Sequence, residues 1–425
     1  MLTLACALLL ALQDGRPEAA DEAAAPLLAP GSWSAALVAG ERRIPFQLRV
    51  EEARDSRLGV RLLLQNGEEE LPVARTELAP GGELVLHMDP YDSRLVARVS
   101  GDGTALEGQW IRYRGPGRET RMAFTARAGR TPRFAEPLAG RPTAKTLEGR
   151  WAVTFRHGDE SSPAVALLEA KGEGVAKLSG TFLTPLGDYR FLAGDSVGGR
   201  LRLSCFDGAH AFLFEAQLGE DGVLRGDFWS RDTWHESWEA RRDPAARLAD
   251  DFGMTTWNEG VELGALRFPD LSGELRSLDG PGLQGRPRLL VLFGSWCPNC
   301  GDATDYLREL HQRFGGRGLE VVGLAFEFGD DQERHRRVLR RYAEHKDIDY
   351  PILIAGTSDK AEASRAFPAL DRVRAYPTTV FIDAEGKVRA VHTGFSGPAT
   401  GAAHQRLRER FEALIGGMLQ DAEAR

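Results

Sequence analysis

Between residues 31 and 243 apolar and polar positions alternate in short runs, such as "GELVLHM" (82–88), "SRLVARV" (93–99), "GRLRLSC" (199–205) and "HAFLFEAQL" (210–218). Gly, Asp and Pro break the runs. A period of two bounded by turn residues predicts antiparallel, half-buried strands. From about residue 257 the pattern changes. Continuous apolar runs, "RLLVLFGS" (288–295), "LEVVGLAFEF" (319–328) and "YPILIAG" (350–356), read as buried strands. Between them lie segments of helical period. The one from 297 to about 314 puts Ala303, Leu307, Leu310 and Phe314 on one stripe and stops at Gly315-Gly316. Asp330, with Glu333 in capping-box position, opens a second helix that runs to about 346. "SDKAEASRAF" (358–367) is a short helix, "LRFPDLSGELRSL" (266–278) a hairpin or extended pair, and "PTTVFIDAEGKVRAVHT" (377–393) a hairpin around Asp383–Gly386. An amphipathic helix, "HQRLRERFEALIGGMLQD" (404–421), closes the chain. This β-α-β-α-β-β-α order predicts a mixed sheet with helices on both faces.

The β-rich part carries an internal echo. "GSW" (31–33) returns as "GRW" (149–151) and "LEGQW" (106–110) as "LRGDF" (224–228), both 118 residues later. "MAFTARAG" (122–129) and "ESWEARRD" (236–243) close the two copies. The expected architecture is therefore multidomain: an N-terminal all-β tandem repeat, then an α/β domain. Residues 31–130 form the first β unit, 131–147 a proline-rich linker, 148–243 the second β unit, and 257–425 the α/β domain. Two small sandwiches or barrels, or one fused sheet assembly, all fit this pattern.

Residues 2–12 are an apolar run too short to span a bilayer as a helix but long enough for a signal-peptide core, although the first basic residue is Arg16. We expect a signal segment at 1–13, a disordered Ala-, Pro- and acid-rich tether at 14–30, and export to the bacterial periplasm or cell envelope. Cys6 would allow attachment to the membrane only through an N-terminal anchor. The chain's 425 residues exceed one compact core. Its net charge of −8 argues against a nucleic-acid surface. The dense basic run "RHRRVLRR" (334–341) reads as a solvated helix face. Cys205 sits on an alternating strand as a small hydrophobe, and His210 and His235 lack metal-ligand spacing. The aromatics of "DFWSRDTWHESW" (227–238) either bind a partner or fill a core.

Candidate chemistry concentrates in "RLLVLFGSWCPNCGDATDYLRELH" (288–311). Two cysteines spaced by two residues admit a zinc half-site, a structural disulfide or a redox dithiol. Zinc needs four ligands and only His311 is near. A disulfide closing so small a loop adds little stability. A strand-to-helix junction places the first sulfur at a helix N-terminus, where free N–H groups and the macrodipole favour a thiolate. Pro298 suits the first helical turn. The redox reading fits these surroundings best.

"LLVLFGSWCPNC", "VVGLAFE" and "AYPTTVFIDAEGKVRAVHTG" together resemble the TlpA/ResA-like thiol–disulfide oxidoreductases of the thioredoxin superfamily, bordering on the AhpC/TSA-type redoxins, over about residues 257–420. The resemblance implies a thioredoxin fold, with Cys297 as nucleophile and Cys300 as resolving thiol. It places Trp296, Pro298, Asn299, Tyr376 and Pro377 at the substrate-binding surface: Trp296 as a docking surface, Pro298 and Asn299 also tuning the pair, and Pro377 a cis-proline aligning a substrate strand beside Tyr376. Glu327 is either a buried acid that accepts the Cys300 proton or a solvent-facing strand end. Val291 stands where thioredoxin has an aspartate, so Glu327 or water would replace that proton route. No cofactor is implied beyond the redox-active Cys297–Cys300 disulfide. The implied partners are protein thiols or disulfides and an upstream redox partner, and the implied activity is reductive disulfide exchange in the envelope. Two rivals stand: an antioxidant redoxin reducing peroxides, although "FGSWCPNC" lacks the peroxidatic Thr spacing, and a β-domain scaffold with a secondary redox domain.

Overall fold

A computed structural model describes residues 27–424 except 54–55, 57, 130–131, 135–139 and 173–175. The signal segment expected at 1–13, Cys6 and most of the 14–30 tether lie outside these residues.

Among the described residues the β-rich part forms two nine-stranded antiparallel sheets. In the first, Gly31–Ala39 sits between Arg42–Glu52 and the last strand of the sheet, Arg118–Ala128. In the second, Gly149–His157 sits in the same way between Glu160–Ala170 and Trp234–Arg242. A further pairing of Glu160–Ala170 with Lys177–Thr184 closes this second sheet on itself as a barrel. Inward residues alternate along the strands as the period-two pattern requires. Trp33 and Trp151 are fully buried, and each indole N–H donates to a carbonyl four residues back, Ala29 O at 2.8 Å and Leu147 O at 2.9 Å. Gly108 and Gly226 lie where a Cβ would collide with the neighbouring strand's backbone, at Val96 O and Glu215 O. Only glycine allows so close an approach.

The two sheets share a core. Phe206 of the second packs 4.6 Å from Phe46 and edge-on to Trp110 at 5.3 Å, both in the first. Asn66 binds the backbone of Phe206 from both sides, donating to its O at 2.9 Å and accepting from its N at 3.1 Å. The assembly is thus fused rather than two free units. In the Trp-rich segment, Phe228 and Trp238 fill the barrel core, whereas Trp234 is exposed and stacks on His157 at 4.1 Å. Cys205 lies in the same core as a free cysteine.

In the C-terminal domain Arg288–Phe293 is the central strand. It pairs in parallel with Glu320–Glu327, which pairs in parallel with Ile352–Thr357; on its other side come antiparallel Thr378–Ile382 and Val388–Thr393. The central strand is buried at every residue, as expected of a strand covered on both faces. Helices Pro298–Phe314, Gln332–Lys346, Lys360–Ala366 and Ala402–Glu423 contribute Leu307, Leu339, Ala363 and Phe411 to its core.

Two local expectations need correction. The Gln332–Lys346 helix is capped by Asp331, whose side chain accepts from Arg334 N at 3.0 Å, one residue later than the Asp330 cap read from the pattern. The basic run on that helix is not simply solvated. Arg334 pairs with Asp92 and stacks 3.5 Å over Tyr113, while Arg341 lies 3.6 Å from Asp89. The run docks the helix onto the first β sheet.

Candidate active site

The chain leaves the central strand at Phe293, turns through Gly294-Ser295-Trp296 and enters the helix at Pro298, which makes Cys297 the N-cap. The Cys297 sulfur accepts a hydrogen bond from Cys300 N at 3.3 Å, so it meets the unpaired donors of the first helical turn. Cys297 is 8% exposed and Cys300 fully buried; both are free thiols. Burial drives the Cys300 thiol far above the usual range, the adjacent Cys297 adds to this, and the Glu327 charge pushes the same way. The Tyr376–Pro377 peptide is cis, and Tyr376 O accepts from Cys297 Sγ at 3.5 Å. The structure therefore brings Cys297, Cys300, Tyr376 and Pro377 together from segments about 80 residues apart in sequence.

Glu327 ends the neighbouring strand and is 1% exposed, which overturns the solvent-facing alternative. Its carboxylate accepts from Ser295 N at 2.8 Å and Ser295 Oγ at 2.9 Å. Burial raises it to about 7, with the two Ser295 bonds opposing. A carboxyl titrating near neutrality can take up and release a proton at working pH. Ser295 was not singled out from sequence, and its position directly before Trp-Cys was the available signal.

Trp296 is half-buried. Its indole donates to Phe326 O at 2.8 Å, its ring stacks on Phe328 at 4.9 Å, and Tyr376 meets it edge-on at 5.6 Å. Pro298 and Asn299 are buried, and what buries them is the β region. Asn299 Nδ2 donates to Asp188 O at 3.2 Å, and Arg190 Nη1 donates to Pro298 O at 3.2 Å. The Arg190 guanidinium also pairs with Glu69 of the first sheet, Asp207 of the second, and Asp302 on the dithiol helix. Asp188 accepts from Gly397 N at 2.6 Å, which ties the 394–401 loop to the same junction. Burial, with the neighbouring Asp302, raises Asp188 to about 6. From the first sheet Arg112 donates to Trp296 O at 2.6 Å and to Ala209 O at 2.5 Å. Strand periodicity gave no hint of Arg112, Asp188 or Arg190.

Residues 260–391 match the AhpC/TSA family. The thioredoxin-like protein YneN of Bacillus subtilis (strain 168) is 26% identical over 155 residues, covering 33% of this chain and 83% of that protein. The thiol-disulfide oxidoreductase ResA of Halalkalibacterium halodurans is 24% identical over 148 residues, covering 34% of this chain and 70% of that protein. A solved structure of a thiol:disulfide interchange protein, thioredoxin family protein, from Chlorobium tepidum TLS aligns at 23% identity with a TM-score of 0.29, over 38% of this chain and 99% of that one. Behind a fused pair of β sheets, residues 260–391 of this chain match the AhpC/TSA family, and the same part of the chain is similar to proteins named thioredoxin-like protein and thiol-disulfide oxidoreductase.

Proposed function

We propose that the protein is a thiol–disulfide oxidoreductase that exchanges disulfides with protein partners through the Cys297–Cys300 pair, as a reductase in the cell envelope. The observation that carries this reading is the sulfur of Cys297 at a helix N-terminus, bonded by Cys300 N and lying against the Tyr376–Pro377 turn.

In the reductive direction the Cys297 thiolate attacks one sulfur of a partner disulfide. The partner S–S bond breaks, and the departing sulfur leaves as a thiolate and takes up a proton. A mixed disulfide joins Cys297 to the partner. Glu327 accepts the Cys300 proton, and the Cys300 sulfur attacks Cys297. The partner's second sulfur leaves and is protonated. Two electrons have passed from the dithiol to the partner, and Cys297–Cys300 is now a disulfide that an upstream donor must reduce. Tyr376 and Pro377 line the docking edge for an extended partner segment, and Trp296 flanks it. Envelope location rests on the apolar run at residues 2–12, and cell fractionation tests it.

We also read the two sheets as duplicated units, 31–130 and 148–243. The matched Trp33 and Trp151 bonds and the matched Gly108 and Gly226 contacts, each pair 118 residues apart, support this.

The activity test is reduction of a disulfide-bonded protein such as insulin by the dithiothreitol-recycled protein. Turnover above the dithiothreitol background is expected, and its loss in Cys297→Ser. Equal rates for the two proteins would sink the proposal. Thiol-dependent consumption of hydroperoxide at a higher rate than insulin reduction would favour the peroxide-reducing alternative.

A further inference from the structure

Arg112 lies on the Ala105–Gly115 strand, outside the AhpC/TSA-family domain, and is 2% exposed. Its two terminal nitrogens reach Ala209 O and Trp296 O, and its Nε has no hydrogen-bond partner. Among the described residues no carboxylate lies within ion-pair distance of it. Buried guanidinium groups ordinarily sit against an anion, because an unpaired charge in a low-dielectric interior costs several kcal/mol. Here the group it touches is the carbonyl of the residue immediately before Cys297. The second sheet has Ser230 at the corresponding offset of 118 residues, so the arginine belongs to the copy that meets the dithiol turn.

We infer that Arg112 is a positioning residue of the thiol–disulfide site: it holds the Trp296 carbonyl and brings, from the β region, a buried positive charge to the turn that carries Cys297, where it stabilises that sulfur as an anion. The inference rests on the thiol–disulfide reading above. Burial, and after it the nearby Arg114 and Arg231, bring the Arg112 guanidinium down to about 9, while Asp207 and Cys297 act in the opposite sense. It is therefore still charged at neutral pH. The active site is completed across the domain boundary, and the β region is part of the redox machinery rather than a passenger.

The test separates charge from hydrogen bonding. In a Cys300→Ser background the Cys297 peptide is followed by mass spectrometry during iodoacetamide alkylation at neutral pH. Arg112→Gln keeps a donor for Trp296 O without the charge; Arg112→Lys keeps the charge with fewer donors. Alkylation should slow about tenfold or more in Arg112→Gln and stay within about threefold of the parent in Arg112→Lys. An unchanged rate in Arg112→Gln, or equal slowing in both, overturns the inference. Should Arg112→Gln fail to fold, Thr120 serves instead, because it lies directly across the ladder from Arg112. With Arg112 intact, Thr120→Glu supplies the missing counter-charge and should slow alkylation severalfold relative to Thr120→Gln; equal rates overturn the inference. Reduction of insulin by the wild-type protein is measured in parallel. If that activity is present and the rates ignore residue 112, only the role of Arg112 is lost. If it is absent, the underlying reading has failed.

Discussion

Two buried arginines reach the same active-site turn, one from each β sheet, and their surroundings differ. Arg190, from the second sheet, is enclosed by the carboxylates of Glu69, Asp207 and Asp302 and bonds Pro298 O. Its charge is consumed within the assembly, and it ties both sheets to the first turn of the dithiol helix. Arg112, from the first sheet, bonds only carbonyls among the described residues, Trp296 O and Ala209 O. The first arrangement holds domains together. The second leaves a positive charge available to a sulfur anion. Burial alone does not distinguish a fastener from a chemical group; the inventory of counter-charges does.

This contrast is most exposed to test at Arg190. Arg190→Met leaves several carboxylates buried without their partner and should cost about 3–5 kcal/mol in urea unfolding. Arg112→Met removes hydrogen bonds to carbonyls without orphaning an acid, and should cost about 1–2 kcal/mol. Equal losses would erase the distinction between the two arginines.

Glu327 sharpens the comparison from the acid side, since Ser295 is its hydrogen-bonding partner and, among the described residues, no cation pairs with it. Its folded value, about 7, lies above the ordinary 4.5. A raised carboxyl favours the folded state while protonated, and that advantage fades as pH rises from about 4.5 through about 7. Glu327→Gln should therefore become more stable relative to wild type across this window, by up to about 3 kcal/mol. A pH-independent difference between the two melting curves would contradict the buried-acid assignment. The same variant should slow resolution of a trapped mixed disulfide by about a hundredfold, without slowing the first attack on Cys297 to the same degree.

Smaller effects test the correspondence between the two sheets. Trp33→Phe and Trp151→Phe each lose one buried indole bond and should cost about 1 kcal/mol alike. A large inequality would argue against equivalent anchors. Trp234, exposed on the barrel, should tolerate Ser within about 0.5 kcal/mol.

The C-terminal domain was legible because its information is local. Apolar runs marked the buried strands, Gly315-Gly316 stopped the helix, and Cys-Pro-Asn-Cys sits at one strand-to-helix junction. Glu327 was legible as a candidate through the family resemblance of the strand it ends, whereas its burial and its two bonds from Ser295 come from the folded site. The Asp330 and Asp331 caps differ by one residue because adjacent acids offer the same signal, and only backbone geometry chooses between them. Arg112, Asp188 and Arg190 were not legible. They reach the site across 108 to 184 residues of chain, from an alternating strand and a short inter-strand turn that look like any others. The basic helix face was misread for the same reason, because Asp89 and Asp92, which meet it, lie in another domain.

The most direct measurement is the equilibrium reduction potential of the Cys297–Cys300 pair, titrated in a Cys205→Ser background against dithiothreitol and read by thiol alkylation and Trp fluorescence. The proposed reductase predicts a single two-electron couple near −270 mV, the range of thioredoxin, that vanishes in Cys297→Ser. A couple near −120 mV would make the protein an oxidant or isomerase and reverse the proposed electron flow. If no two-electron couple appears at all, the pair is not a redox centre and the proposed function is wrong.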